Sequence, residues 1–117
     1  MSPTAHNIVK AIIKIESNDN FHARGASGEK GRTQFMPTTW DMWSKDIAGR
    51  VLPFTEVNEY YVAVMKVDAW LRLGYTEREI GLMWNQGSRG ACRQGVNKYG
   101  VAYNSCAYAD KLLAYLQ

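Results

Sequence analysis

Apolar residues recur at helical spacing along most of the 117-residue chain. Their i, i+3, i+4 pattern marks one face of an amphipathic helix, and Gly or Pro residues separate the periodic stretches. Five helices are predicted: from Ser2 and Pro3 to about Glu16, from Pro37 past Trp43, from about Val57 to Leu73, from Thr76 to near Gly87, and from about Ser105 to Leu116. The pattern therefore predicts a mainly α (α+β) fold, with residues 1–117 forming one domain.

Two glycine-rich loops interrupt this helical pattern. The first, residues 18–35, contains Gly25, Gly28 and Gly31, and we expect it to form a small β-hairpin between the first two helices. It lacks the pattern of a phosphate-binding P-loop, and no strand precedes it as in a dinucleotide-binding motif. The second loop, residues 85–100, precedes the last helix. Long loops on a helical scaffold are candidate functional loops.

Glu16 occupies a position where the first helix calls for an apolar residue. It follows Val9, Ile12 and Ile13 at helical spacing, so it shares their face at the edge of the core. Desolvation and the negative end of the helix dipole both raise the pKa of such a carboxyl group. A carboxyl group that stays protonated near neutral pH can act as a general acid. The spacing alone leaves open a Glu16 side chain that is exposed or paired with an arginine.

Charge and hydropathy exclude some classes of partner. The chain has 14 basic and 11 acidic residues without a Lys/Arg cluster, so no nucleic-acid partner is expected. A mild positive charge of +3 would favour an anionic surface such as a cell wall, although ordinary solvated surface charges are the simpler interpretation. No apolar run reaches the roughly 18 residues of a membrane span, and no signal peptide is visible, although a secreted protein expressed without its leader looks the same.

The two cysteines, Cys92 and Cys106, have 13 residues between them. A disulfide and a pair of free buried thiols both remain open. Their spacing does not fit a redox or zinc motif, and His6 and His22 do not complete a metal site. No metal or other cofactor is expected.

Four short segments together resemble one known family. They are "IES" at residues 15–17, "GEKGRTQFMPTTW" at 28–40, "MWNQG" at 83–87, and a tyrosine at position 108 in the last helix. In this order they resemble the catalytic domain of the soluble lytic transglycosylases, which belong to the lysozyme-like superfamily together with the goose-type lysozymes. The resemblance covers nearly the whole chain and implies a lysozyme-like fold.

The resemblance assigns roles to single residues. Glu16 matches the catalytic glutamate of the family, and Ser17 matches the serine that helps to orient the acid or the sugar. Gln34 matches a glutamine that lines the sugar cleft, and Asn85 belongs to the third motif. Tyr108 matches a tyrosine whose hydroxyl lies near the catalytic glutamate. The groove would then lie between the first helix, the first loop and the loop after residue 84.

The four tryptophans divide into two groups. Trp40, Trp43 and Trp70 are expected in the core, whereas Trp84 adjoins the third motif and is expected to bind sugar. A tyrosine is usual in the family at the position of Trp84.

Two further departures concern the first loop. Arg32 and Thr33 stand where the family commonly has Leu and Met, which would make the groove more polar. Glu29 stands where the family usually has Ala, and it could supply the second carboxylate of a hydrolase. The alternative for Glu29 is a solvated turn residue paired with Lys30 or Arg32.

The resemblance implies cleavage of peptidoglycan between N-acetylmuramic acid and N-acetylglucosamine. A lytic transglycosylase with Glu16 as acid and base, giving 1,6-anhydro products, is the first expectation. A hydrolytic lysozyme that uses Glu16 and Glu29 is the alternative, and a non-catalytic wall-binding module is the second alternative. We expect a monomer that is secreted, located in the cell envelope or associated with a phage.

Overall fold

The computed structural model describes residues 3–117. It contains five helices and one two-stranded sheet: α1 (Pro3–Ser17), α2 (Pro37–Ala48), α3 (Glu56–Arg72), α4 (Glu77–Gln86), β1 (Gln94–Val96), β2 (Ala102–Asn104) and α5 (Ser105–Leu116). The prediction of a mainly α fold is confirmed. Ser2, where the first helix is predicted to begin, lies outside the described residues. No helix among the described residues is both long and apolar enough to cross a bilayer.

Side-chain caps define the starts of α3 and α4. The Thr76 hydroxyl accepts a hydrogen bond from the Glu79 amide at 3.1 Å, and the Glu79 carboxylate accepts one from the Thr76 amide at 2.9 Å. These two bonds form a capping box at the start of α4. Thr55 caps α3 in the simpler way, by accepting from the Asn58 amide. Such caps typically contribute about 1 kcal/mol each.

Helix α1 lies at the centre of the packing, against α3 and α5. Its residues Ile8, Val9 and Ile12 are completely buried. The core joins them to further buried residues: Ala5, Ala11, Ile13, Phe35, Trp40, Val62, Ala63, Val64, Val67, Trp70, Ile80 and Leu112. Because α1 is buried on two sides, its axis and its rotation about that axis are fixed. The position of Glu16 in its last turn is therefore fixed as well.

The aromatic residues form a cluster beside this core. The Phe35 ring meets the rings of Trp40, Trp43 and Trp84 edge to face, with centroids 5.2, 5.4 and 5.5 Å apart. Trp40 and Trp70 are buried, and Trp43 is partly buried against the core, as expected for core residues. Trp84 packs on the same cluster, so its ring plane is fixed by aromatic contacts.

The predicted position of the β-hairpin is wrong. The first loop contains only two isolated bridges, Arg24 with Lys30 and Lys30 with Phe35, whereas the antiparallel pair β1–β2 lies between α4 and α5. Gly28 and Gly31 have positive φ angles of 95° and 87°, so tight turns follow one another at short intervals. A strand pair longer than one residue has no room between such turns.

A buried carboxylate from α3 takes the place of strand pairing in the first loop. Glu59, only 1% exposed, accepts hydrogen bonds from the amides of Arg32 and Thr33 at 3.0 and 2.9 Å. It also accepts one from the Thr33 hydroxyl at 2.7 Å. A side chain at Gly31 would collide with this carboxylate, so the close approach of loop and helix requires glycine there.

The second loop is tied to α5 by a disulfide between Cys92 and Cys106, whose Cα atoms are 5.1 Å apart. The question that the spacing left open is thus answered in favour of the disulfide. A loop of about 15 residues closed in this way gains about 3 kcal/mol on the chain-entropy estimate. The disulfide fixes the base of the β1–β2 hairpin beside the start of α5.

Candidate active site

A polar pocket opens where the end of α1, the first loop, the end of α4 and the β1–β2 turn meet. Its volume is about 270 Å³. Its lining residues are Glu16, Ser27, Glu29, Gln34, Met36, Trp84, Asn85, Asn97 and Tyr99. We call it the central pocket. Five of the seven site residues predicted from the sequence line it: Glu16, Glu29, Gln34, Trp84 and Asn85.

Glu16 lies in the last turn of α1, with its Oε2 atom 2.9 Å from the hydroxyl oxygen of Tyr108. Burial raises the pKa of Glu16 from 4.5 to about 7. The hydrogen bond from Tyr108 opposes this rise, and the negative charge of Glu29 adds to it. The expected direction and its main cause, desolvation, are confirmed. Glu16 is largely buried, so the alternative of an exposed side chain is wrong. The alternative of an arginine pair is also wrong, because no arginine among the described residues pairs with Glu16.

Tyr108 holds the Glu16 carboxyl group from α5. Burial, followed by the charge of Glu16 and their hydrogen bond, raises the pKa of Tyr108 well above its ordinary value of 10. The phenol therefore stays protonated at neutral pH and donates to Glu16 Oε2. Because Oε2 accepts that bond, Oε1 is the oxygen that carries the proton when Glu16 is neutral.

Glu29 is the second carboxylate of the central pocket. Its Oε1 atom is buried and accepts no hydrogen bond from any residue that the structure describes. The predicted alternative of a pair with Lys30 or Arg32 is wrong. Lys30 Nζ lies 4.5 Å from the centre of the Phe54 ring, and Arg32 pairs with Asp19 at 2.7 Å. A buried acceptor without a donor is energetically costly.

Gly25 makes room for the two polar side chains beside it. A Cβ atom at this position would lie 2.8 Å from Glu29 Cδ and Oε2, and 2.8 Å from Gln34 Oε1. These distances are below normal contact, so the backbone of residue 25 forms the wall against which both side chains rest. The φ angle of Gly25 is not positive, so the backbone conformation does not require glycine at this position. The close contact with the two side chains does.

Gln34 enters the pocket from a left-handed backbone position, with φ at 57°. Its Nε2 atom donates to the carbonyls of Gly31 at 2.8 Å and Ala23 at 3.2 Å. The amide nitrogen thus stabilises the first loop, and Oε1 remains available as an acceptor.

Trp84 and Asn85 come from the end of α4. The indole Nε1 of Trp84 donates to the Thr33 carbonyl at 3.2 Å, which holds the ring against the first loop. Trp84 also lines a small adjoining lobe of about 80 Å³, together with Phe35, Thr39 and Trp43. The Asn85 side chain makes no hydrogen bond with the described residues, so its amide is available to a ligand.

The structure does not bring Ser17 into the central pocket. Its hydroxyl donates to the carbonyls of Arg32 at 2.7 Å and Ile13 at 3.3 Å, and it accepts from the Asn20 amide. Ser17 therefore joins the end of α1 to the first loop. The expectation that Arg32 and Thr33 make the groove more polar is also wrong, because neither lines the central pocket.

Sequence reasoning missed the contribution of the β1–β2 turn. The Asn97 Nδ2 atom donates to the Ser27 hydroxyl at 3.0 Å, and its Oδ1 accepts from the amides of Tyr99 and Val101 at 2.9 and 3.0 Å. One asparagine thus shapes the turn and attaches it to the first loop. The pattern Asn97-x-x-Gly100 is typical of a turn, and it lies between two short segments in which apolar and polar residues alternate. This pattern was the signal in the sequence for a hairpin here.

A larger cavity of about 440 Å³ lies along α1 outside the central pocket, between Lys10, Lys14 and Tyr115. Glu77 is the one acidic residue among its described lining residues, so it lacks a pair of carboxylates. The central pocket is therefore the better candidate for acid–base chemistry, although it is smaller. Across residues 3–117, no three His, Cys, Asp or Glu side chains are grouped so that they could hold a metal ion.

Comparison of the chain with protein-family models, with curated protein sequences and with solved structures finds no match in any of the three.

Proposed function

We propose that this chain cleaves peptidoglycan glycan strands at the β-1,4 bond between N-acetylmuramic acid and N-acetylglucosamine. The observation that carries the proposal is Glu16, a carboxyl group with a pKa of about 7 that is fixed by Tyr108 at the wall of an open polar pocket. The motif resemblance and the neighbouring tryptophan Trp84 support a sugar substrate. Flat aromatic rings pack well against the apolar faces of sugar rings.

In the first step Glu16 is the general acid. Its Oε1–H donates a proton to the glycosidic oxygen, and the bond from that oxygen to C1 of the muramic acid breaks. Positive charge develops on the sugar ring, and the carboxylate of Glu29, which lines the same pocket, would stabilise it. The Tyr108 hydroxyl remains on Oε2 and stabilises the Glu16 carboxylate that forms.

In the second step the ionised Glu16 acts as the base. It removes the proton from the C6 hydroxyl of the same muramic acid, and O6 attacks C1. The product carries a 1,6-anhydro ring, no water is consumed, and Glu16 regains its proton. This lytic transglycosylase route is the one that the motifs imply.

Hydrolysis is the second candidate, and Glu29 favours it. The Glu29 carboxylate lines the central pocket and could accept a hydrogen bond from an attacking water. Deprotonation of that water would give a reducing end instead of an anhydro ring. Lytic transglycosylases usually have Ala at this position, so a carboxylate there is otherwise unexplained.

Mass spectrometry of the products made in H₂¹⁸O separates these routes. Purified peptidoglycan is digested with the wild-type protein and with Glu29→Gln. Anhydro muropeptides without ¹⁸O, made by both proteins, support the transglycosylase. Reducing ends that carry ¹⁸O, lost with Glu29→Gln, support the hydrolase. Absence of any soluble muropeptide would refute cleavage and leave a wall-binding module.

We further propose that the chain acts as a monomer at the cell envelope, after secretion or in association with a phage. The disulfide between Cys92 and Cys106 supports an oxidising compartment of this kind.

A further inference from the structure

A second lobe of about 410 Å³ continues from the central pocket toward α5. We call it the α5 lobe. Glu29, Asn85 and Asn97 line both spaces, so the two adjoin each other. Its other lining residues are Ile15, Val101, Ala102, Tyr103, Asn104, Ala107, Tyr108 and Lys111. This volume lies within the range of ligand sites, roughly 300–1,000 Å³.

One face of α5 forms the long wall of the α5 lobe. Asn104, Ala107, Tyr108 and Lys111 follow one another at helical spacing, so the acid partner Tyr108 and the cation Lys111 share this wall. Tyr108 marks the end of the lobe near the reacting bond, and Lys111 lies one turn further along the helix.

Three polar side chains in this lobe lack partners among residues 3–117. Asn85, Tyr103 and Lys111 make no side-chain hydrogen bond or ion pair with any described residue. The neighbouring Asp110, by contrast, is paired with Arg78 at 2.6 Å. The first turn of α5 contains no acidic residue that could neutralise Lys111. The lobe thus offers an unpaired cation and two neutral polar groups to a ligand.

Negative and positive side chains lie at different places along the α5 lobe. Glu29 places negative charge at the inner end, where the lobe meets the central pocket, whereas Lys111 places positive charge on the α5 wall. A ligand carboxylate would be repelled from the inner end and attracted to Lys111. A sugar substituent that extends from the central pocket and ends in a carboxylate satisfies both conditions.

We propose that the α5 lobe binds the carboxylate-bearing peptide substituent of the glycan, with Lys111 as its ion-pair partner. This inference rests on the proposed function and names its substrate: glycan strands that still carry peptides, in preference to bare strands. Asn85 and Tyr103 contribute hydrogen bonds to the amide groups of the peptide.

The test compares Lys111→Gln and Lys111→Arg with the wild-type protein on two substrates. One is soluble glycan with its peptides, and the other is the same glycan after an amidase has removed them. Lys45→Gln is the matched control, because Lys45 is exposed on α2 and lines neither space. Circular dichroism checks that each variant is folded.

We expect Lys111→Gln to lower kcat/KM on peptide-bearing glycan about three- to fivefold, the size of an exposed ion pair. Its kcat/KM on bare glycan should stay at the wild-type value, and Lys111→Arg and Lys45→Gln should leave both substrates unaffected. An equal loss on the two substrates, or no loss on either, would overturn the inference.

Binding gives a second readout that needs no turnover. In the Glu16→Gln background, calorimetry measures the affinity of a disaccharide-peptide and of the bare disaccharide, with and without Lys111→Gln. A Lys111 effect confined to the peptide form supports the inference even where no cleavage occurs, in which case only the proposed function fails. Equal affinities in all four combinations would overturn the inference, whether or not the wild-type protein cleaves peptidoglycan.

Discussion

Replacing Glu16 by glutamine should stabilise the protein at high pH and have little effect at low pH. Gln is close in shape to the protonated glutamic acid, and its oxygen can still accept the hydrogen bond from Tyr108. The wild-type carboxyl group has a pKa of about 7 in the folded protein and an ordinary value of 4.5. The folded state therefore binds this proton more tightly than the unfolded state does.

The sign and size of the effect follow from linkage. Below pH 4.5 Glu16 is protonated in both states, and its contribution to stability is fully present. That contribution is lost as pH rises through about 7, because the folded protein must then hold a buried carboxylate. The difference between the two pKa values corresponds to about 3 kcal/mol of unfolding free energy.

Urea unfolding followed by tryptophan fluorescence at pH 4, 6 and 8 measures this difference. The free energy of unfolding of Glu16→Gln minus that of the wild-type protein should increase by about 3 kcal/mol between pH 4 and pH 8. Glu77→Gln, which removes a carboxylate outside the central pocket, reports the general effect of losing one negative charge. Parallel pH profiles for wild type and Glu16→Gln would refute the raised pKa and with it the assignment of Glu16 as an acid.

Three further predictions concern neighbours of this group. Tyr108→Phe removes the donor that favours the charged form of Glu16, so the alkaline limb of the activity–pH profile should move to higher pH; an unchanged limb would contradict the role of this bond. Gly25→Ala displaces the Glu29 carboxylate, and an error of about 1 Å in a site can lower turnover on the order of 100-fold, so peptidoglycan turnover should fall far more than the unfolding midpoint. Cys106→Ser should lower the free energy of unfolding, measured with urea, by about 3 kcal/mol, and reductant should lower that of the wild-type protein by the same amount. A free energy of unfolding that neither change lowers would contradict a structural disulfide.

Much of the helical framework could be predicted from the sequence because its signals are local. The bounds of α3 and α4 lie within one residue of the predicted ones, because the capping box at Thr76 and the left-handed Gly74 depend on residues within one turn. The hairpin was predicted in the wrong loop because a glycine-rich composition indicates turns but not strand pairing. In the first loop the amides of Arg32 and Thr33 are satisfied by Glu59, which is distant in sequence.

The same pattern that singles out Glu16 also fits Glu59. Glu59 shares a face of α3 with buried residues such as Val62 and Ala63, yet its carboxylate is saturated by three donors from the first loop. Glu16 has one donor, Tyr108, and lines an open pocket. Helical spacing in the sequence identifies carboxylates that lie at the edge of a core. Whether such a carboxylate is structural or a candidate acid depends on its tertiary contacts, which the spacing does not predict.

The contribution of the β1–β2 turn could not be predicted for a related reason. Asn97 reaches the central pocket through a bond to Ser27, 70 residues earlier in the chain. The two loops are each recognisable as loops, but their contact depends on how α4 and α5 pack together and on the disulfide at the base of the hairpin.

The most direct test of the central claim is the rate at which purified peptidoglycan is solubilised by wild-type protein and by Glu16→Gln, measured side by side near pH 6. Loss of a general acid should lower this rate at least on the order of 100-fold in the glutamine variant, with the fold intact by circular dichroism. A Glu16→Gln variant that solubilises peptidoglycan at a rate close to that of the wild-type protein would contradict the account.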